Sequence, residues 1–170
     1  PEFTMEEAVS RSSVVIDCTP KGFGHQNKAD FYEKYADKVK GFLAQGSEDG
    51  FGKKYARGIN DHALNSSSDK FIQIVSCNTH NVSCITNTLA VNENPDNLIE
   101  GKYVCVRRAN DLSQAGSFIP APQVGSHGNE KYGSHHAADA AGLFATLGMD
   151  LNLFSSAMKV NSQYMHVLWF

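Results

Sequence analysis

The chain has 170 residues, of which 41% are hydrophobic and 19% charged, enough for one domain with a sizeable core. A net charge of −3 and a pI of about 6.2 exclude a global basic field for nucleic acid. No apolar stretch approaches the length of a membrane span and no secretory signal is visible, so the expected setting is cytoplasmic, with neither nucleic acid nor membrane as partner.

Pro1-Glu2-Phe3 lacks an initiator Met, reads as a cloning remnant and is set aside from the fold; residues 1–12 are that remnant and an N-terminal segment. Residues 13–17 read as a buried parallel strand, and residues 18–24 as the turn after it. That turn, Thr19-Pro20-Lys21-Gly22-Phe23-Gly24, has the look of a phosphate cradle, although it is not G-x-G-x-x-G. Asp17 is either a ligand-facing carboxylate or a cap on the turn. Residues 27–40 carry Phe31, Tyr35 and Val39 at a spacing of four, which predicts an amphipathic helix. Residues 41–46 form a short strand running into a loop, with Gln45-Gly46 at its end. Residues 46–54 and 65–69 read as loops.

Phe71-Ile72-Gln73-Ile74-Val75 is an apolar, β-branched run that stops at Ser76-Cys77-Asn78-Thr79. The run predicts a buried strand, and the small polar residues predict a turn or helix cap. Val82, Ile85 and Leu89 follow at helical spacing. Cys77 therefore falls where a strand hands over to a helix. Backbone N–H groups at a helix start favour negative charge, so a thiol there is biased toward the reactive thiolate. Against this stands the usual fate of a free cysteine, which is to be buried and inert.

Residues 92–100 form a polar connection, and residues 102–108 alternate well enough for a strand ending in Arg107-Arg108. Two guanidiniums at a strand end make a fork for phosphate or carboxylate, or else a solvated end or structural ion pair. Residues 110–132 are rich in Gly, Pro, Ser and Asn, a loop long enough to be functional, interfacial or disordered. Ser134-His135-His136 then opens a helix over residues 137–147, with Ser134 as its cap. An anion contact or plain capping suits the two histidines better than a metal, since adjacent residues seldom share one. Residues 151–160 and 163–169 read as strands, the second containing His166. A histidine in an apolar strand is either a satisfied core residue or a base facing Cys77.

Of Cys18, Cys77, Cys84 and Cys105, three lie in or beside apolar runs, as reduced core cysteines do, and none has zinc-site spacing. No metal is expected. The fold class is α/β: an α+β catalytic domain with a mixed sheet, plus part of a Rossmann-like domain.

Taken together, these stretches resemble archaeal-type (type II) glyceraldehyde-3-phosphate dehydrogenase. The matching pieces run in that family's order: Val14 to Gly22, Gln45-Gly46, Val75-Ser76-Cys77-Asn78-Thr79, Val106-Arg107-Arg108-Ala109-Asn110-Asp111, Gly133-Ser134-His135-His136 and Tyr164-Met165-His166-Val167. The resemblance implies that Cys77 is the nucleophile and His166 the base. It implies that Thr79, Arg107, Arg108, His135 and His136 hold phosphates, and that Thr19, Pro20, Gly22, Gln45, Gly46 and Asn78 lie along NAD or NADP. Substrates would be a small phosphorylated aldehyde and inorganic phosphate; a Val14–Asp17 strand left on an edge would pair with another chain, so a homo-oligomer is expected. Family members open with a Rossmann strand, a G-x-G-x-x-G turn and a helix. Nothing before Val14 supplies these, so the chain is expected to be the catalytic region of a longer enzyme and inactive alone. On this reading residues 13–70 are the remaining nucleotide-binding part and linker, and residues 71–170 the catalytic domain. Two other functions fit the same residues: a non-catalytic relative used for binding or assembly, and an acyl-phosphate reductase acting on an amino-acid semialdehyde.

Overall fold

The computed structural model describes residues 2–109, 122–162 and 165–170. The chain divides into two compact units, Pro1–Cys77 and Asn78–Phe170.

The first unit is built on a parallel sheet of β1 (Val14–Asp17), β2 (Gly41–Ala44), β3 (Lys53–Tyr55) and β4 (Phe71–Ile74), in the order β1-β2-β4-β3. Val14 pairs with Gly41, Phe42 with Phe71 and Lys53 with Ile72. Because β4 is the inner strand between β2 and β3, the chain divides after Cys77, whereas the boundary expected from sequence lay between residues 70 and 71. Val9, Tyr32, Val39, Phe42, Ala44 and Phe51 form the core, with Tyr32 stacked on Phe42 and Phe42 on Phe71. β1 is the edge strand and leaves Val14 and Ile16 exposed.

Three features of this unit depart from the sequence reading. Residues 5–11, given no element in the N-terminal segment, form a helix, α1 (Met5–Arg11). Thr4 and Glu7 make a reciprocal capping box at its start, and Val9 packs into the core. The helix expected over residues 27–40 begins earlier, as α2 (Phe23–Asn27), and continues as a wide-turned π segment (Lys28–Tyr32) and a short 3-10 turn (Glu33–Tyr35). The widened turn brings Tyr32 inward, where its hydroxyl donates to Asp17, 2.7 Å away. β3 lies in the stretch read as loop; it is short, carries two lysines and forms the far edge of the sheet.

In the second unit α3 (Cys77–Thr86) runs on into a π segment (Asn87–Val91). That widening turns Leu89 out to solvent and buries Ala90 and Val91. The mixed sheet has the order β6-β7-β5-β8, with β5 (Gly101–Arg108), β6 (Gln123–Val124), β7 (Leu153–Val160) and β8 (Val167–Trp169). β5 and β7 are parallel over their whole length, from Gly101 opposite Leu153 to Arg108 opposite Val160. β6 and β8 flank them antiparallel. β6 falls in the stretch read as a long loop, of which residues 110–121 lie outside the described residues, as do residues 163 and 164 of the last expected strand. α4 (His135–Ala145) packs on β7 and buries Ala137, Ala140, Ala141, Leu143 and Phe144. The α/β class stands, with one parallel and one mixed sheet.

Candidate active site

The turn after β1 is held by its own residues. The buried Asp17 carboxylate accepts hydrogen bonds from Thr19 N–H, the Thr19 hydroxyl, Asn27 Nδ2 and Tyr32 OH. Burial alone would raise its pKa, but the bonds from Asn27, Thr19 and Tyr32 outweigh that and hold it below the ordinary value. Asp17 thus caps the turn. The phosphate cradle is also corrected. Gly22, at φ 92°, aims its N–H at the Glu48 carboxylate at 2.6 Å, and His25 N–H reaches the same carboxylate at 3.1 Å. Glu48 is 1% exposed, and a Cβ on Gly24 would stand 2.9 Å from it. An internal anion already occupies these donors.

Of the residues expected along a cofactor, Thr19 and Gln45 meet at the carboxyl ends of β1 and β2, where Gln45 Nε2 donates to Thr19 O at 3.0 Å. Pro20 takes part in the turn by accepting from Phe23 N–H. Gly46 has a packing reason to be glycine, since a Cβ there would lie 2.3 Å from Ser76 N.

Cys77 ends the first unit and is the first residue of α3. It is exposed, whereas Asn78 and Thr79 after it are buried at 3% and 0% exposure. Cys18 and Cys84 are exposed too, and only Cys105 is a core cysteine, which corrects the reading of three. The strand-to-helix position of Cys77 is the one expected.

In the second unit a group of bases converges near the start of α4. His136 is 1% exposed, and neither ring nitrogen has a hydrogen-bond partner among the described residues. Its ring lies 3.9 Å from that of His135, tilted by 47°. Arg107, half-buried at the end of β5, has its Nε enclosed without a partner among the described residues. Burial, then the charges of His135, Arg107 and His166, push the pKa of His136 down to about 3. The groups acting on His136 are all bases, a setting that favours an anionic ligand. His166 is half-buried just ahead of β8, and its Nδ1 lies 3.0 Å from Asn78 Oδ1. Asn78, expected along a cofactor, is thus a histidine partner. Arg108 is half-buried beside Arg107 at the end of β5.

One organising residue escaped the sequence reading. Ser134 sits at the cap position of α4, but its side chain makes no capping bond. Ser155 of β7 does that work: its Oγ accepts from Ala137 N–H at 2.9 Å and meets Ser134 Oγ at 2.6 Å. Ser134 N–H in turn donates to Ser155 O at 2.7 Å. The start of α4, with both histidines, is thereby stapled to β7, the direct neighbour of β5 with its terminal Arg107-Arg108. A serine on the inward face of β7, between buried Leu153 and Ala157, is the signal that could have found it.

No protein-family model matches the chain. Among curated proteins it is 31% identical over 176 residues to "Glyceraldehyde-3-phosphate dehydrogenase" of Methanobacterium formicicum, covering 96% of this chain and 45% of that protein. The chain is similar, over nearly its whole length, to archaeal glyceraldehyde-3-phosphate dehydrogenases. "Glyceraldehyde-3-phosphate dehydrogenase 2" of Methanosarcina acetivorans is 30% identical, and "Glyceraldehyde-3-phosphate dehydrogenase" of Archaeoglobus fulgidus 25%, each over 96% of this chain and 45% of its own length. The chain thus spans just under half the length of these dehydrogenases. Among the described residues no group of three or more His, Cys, Asp or Glu could hold a metal ion, and no helix is long and apolar enough to cross a membrane.

Proposed function

We propose that this chain carries the catalytic residues of a cytoplasmic glyceraldehyde-3-phosphate dehydrogenase. The observation that carries the reading is an exposed Cys77 on the first turn of α3, followed at once by Asn78, which binds His166. Likeness to dehydrogenases over 96% of the chain supports it.

In this reading the Cys77 thiolate attacks the aldehyde carbon and forms a C–S bond, and the carbonyl oxygen takes up a proton. His166 removes that hydroxyl proton as the carbon–hydrogen bond breaks, leaving a thioester on Cys77. A nicotinamide dinucleotide, when bound, accepts the hydride. Oxygen of inorganic phosphate then attacks the thioester carbon, the C–S bond breaks, and Cys77 returns as thiolate while an acyl phosphate leaves. Arg107, Arg108, His135 and His136 supply the positive and hydrogen-bonding groups for phosphate, with Thr79 near the nucleophile.

The carboxyl ends of β1 and β2, where Thr19 and Gln45 meet, suit an uncharged part of such a cofactor. The Gly22 turn does not suit its pyrophosphate, because the Glu48 carboxylate already takes the Gly22 and His25 donors. The exposed edge of β1 supports assembly into a homo-oligomer.

Thiol chemistry tests the reading. Iodoacetamide at neutral pH, followed by peptide mass spectrometry, should label Cys77 about ten times faster or more than Cys18 and Cys84, which are also exposed. The buried Cys105 should be slowest. Equal rates at the three exposed thiols would refute an activated nucleophile and leave a binding or assembly role.

A further inference from the structure

We infer that Asn78 is a positioning residue that fixes the tautomer of His166. Its own first-turn position makes this possible. Asn78 follows Cys77 on α3 and is 3% exposed, so the helix and its packing hold the side chain in place. Its Oδ1 lies 3.0 Å from His166 Nδ1. An amide oxygen can only accept, so this contact requires the proton to sit on Nδ1. The lone pair of the neutral ring is then on Nε2. Which nitrogen of a histidine carries the proton is set by the bond that the other one makes, and here the bond is made by a buried amide.

The surroundings add to the case. His166 stands just ahead of β8 and is only half-buried, so packing around the ring is incomplete. The other titratable groups in the electrostatic neighbourhood of buried His136 are His135 and Arg107, together with His166 itself. Asn78 supplies a neutral acceptor, which orients the ring without stabilising the imidazolium as a carboxylate would. A base that must take a proton and release it again gains from that difference. This last step rests on the function proposed above; the tautomer itself does not.

The test is direct observation of the ring. Long-range proton–nitrogen correlation spectra of the 15N-labelled chain at pH 8 distinguish the two neutral tautomers, and His166→Gln identifies the signals. The wild-type ring should be in the Nδ1–H form, against the Nε2–H form favoured by an unconstrained imidazole. Asn78→Ala should return it to Nε2–H. Asn78→Asp, which keeps an acceptor oxygen, should preserve Nδ1–H while raising the pH at which the ring titrates. A wild-type ring in the Nε2–H form would overturn the inference, as would an Asn78→Ala ring still in the Nδ1–H form. If Asn78→Ala fails to fold, the wild-type spectrum and the Asn78→Asp titration decide. An Nδ1–H ring in a protein without an activated Cys77 would keep this inference and sink the proposed function. An Nε2–H ring beside an activated Cys77 would do the reverse.

Discussion

Replacing His136 by leucine should remove most of the acid sensitivity of the second unit above pH 5. The imidazole is enclosed, with no partner for either nitrogen among the described residues, and its pKa is lowered from 6.5 to about 3. A histidine buried neutral takes up its proton more readily in the unfolded chain. Its contribution is therefore complete above pH 6.5 and is lost as the pH falls from there toward 3. Integrating that difference from pH 8 down to pH 5 gives a loss of about 2 kcal/mol. The carboxylates whose pKa is lowered, Glu7, Asp17, Asp49, Asp61 and Asp69, all lie in the first unit and titrate below their ordinary values, so they leave this window clear. Urea unfolding at pH 8 and pH 5, followed by fluorescence of the single tryptophan, Trp169 in β8, reports on this unit. The wild type should lose about 2 kcal/mol more than His136→Leu between the two pH values. At pH 8 the leucine variant should be as stable as the wild type or more so, because it also removes a buried polar group that lacks a bond. Equal pH dependence in the two proteins would refute the argument that burial keeps this ring neutral.

Two further outcomes test how the site is held. Ser155→Ala leaves Ala137 N–H and Ser134 Oγ without their buried partner, at a cost of about 2 kcal/mol. Hydrogen exchange should show the Ala137 amide opening faster, and unchanged protection there would remove Ser155 from its role as the staple of α4. Gly46→Ala forces a Cβ to within 2.3 Å of Ser76 N and 2.6 Å of Ser76 Cα, between two stretches of backbone that cannot yield cheaply. It should lower the urea midpoint of the first unit by an amount worth about 2 kcal/mol, and a neutral substitution would show that the approach of β2's end to Val75–Ser76 is looser than described.

Much of the fold was legible from local pattern. β1, β2, β4, β5, β7 and α4 all lie where apolar runs and helical spacing put them, because those patterns are set by residues close together in the chain. Cys77 was legible in the same way: the end of a β-branched run followed by small polar residues defines a strand-to-helix turn. The capping box of α1, Thr4 with Glu7, was written in the sequence but went unused. β3 and β6 were not legible, since three and two residues at sheet edges carry too few side chains to set a period. The break of the predicted helix at Lys28–Tyr32 was equally hidden, because Tyr32 turns inward to reach Asp17.

The site divides along the same line. Sequence determined which residue types are present: a cysteine at a helix start, paired arginines at a strand end, paired histidines at the next helix start. Tertiary structure alone decided what each one touches. Glu48, far along the chain from Gly22, closed the apparent phosphate cradle from within. Ser155 took over the cap that Ser134 was expected to make. Asn78 met His166 through a contact that no spacing could announce. Local order follows from near-neighbour sterics and burial, which act over a few residues. The protonation state of His136 and the tautomer of His166 depend on distance and desolvation, and only the folded chain sets those.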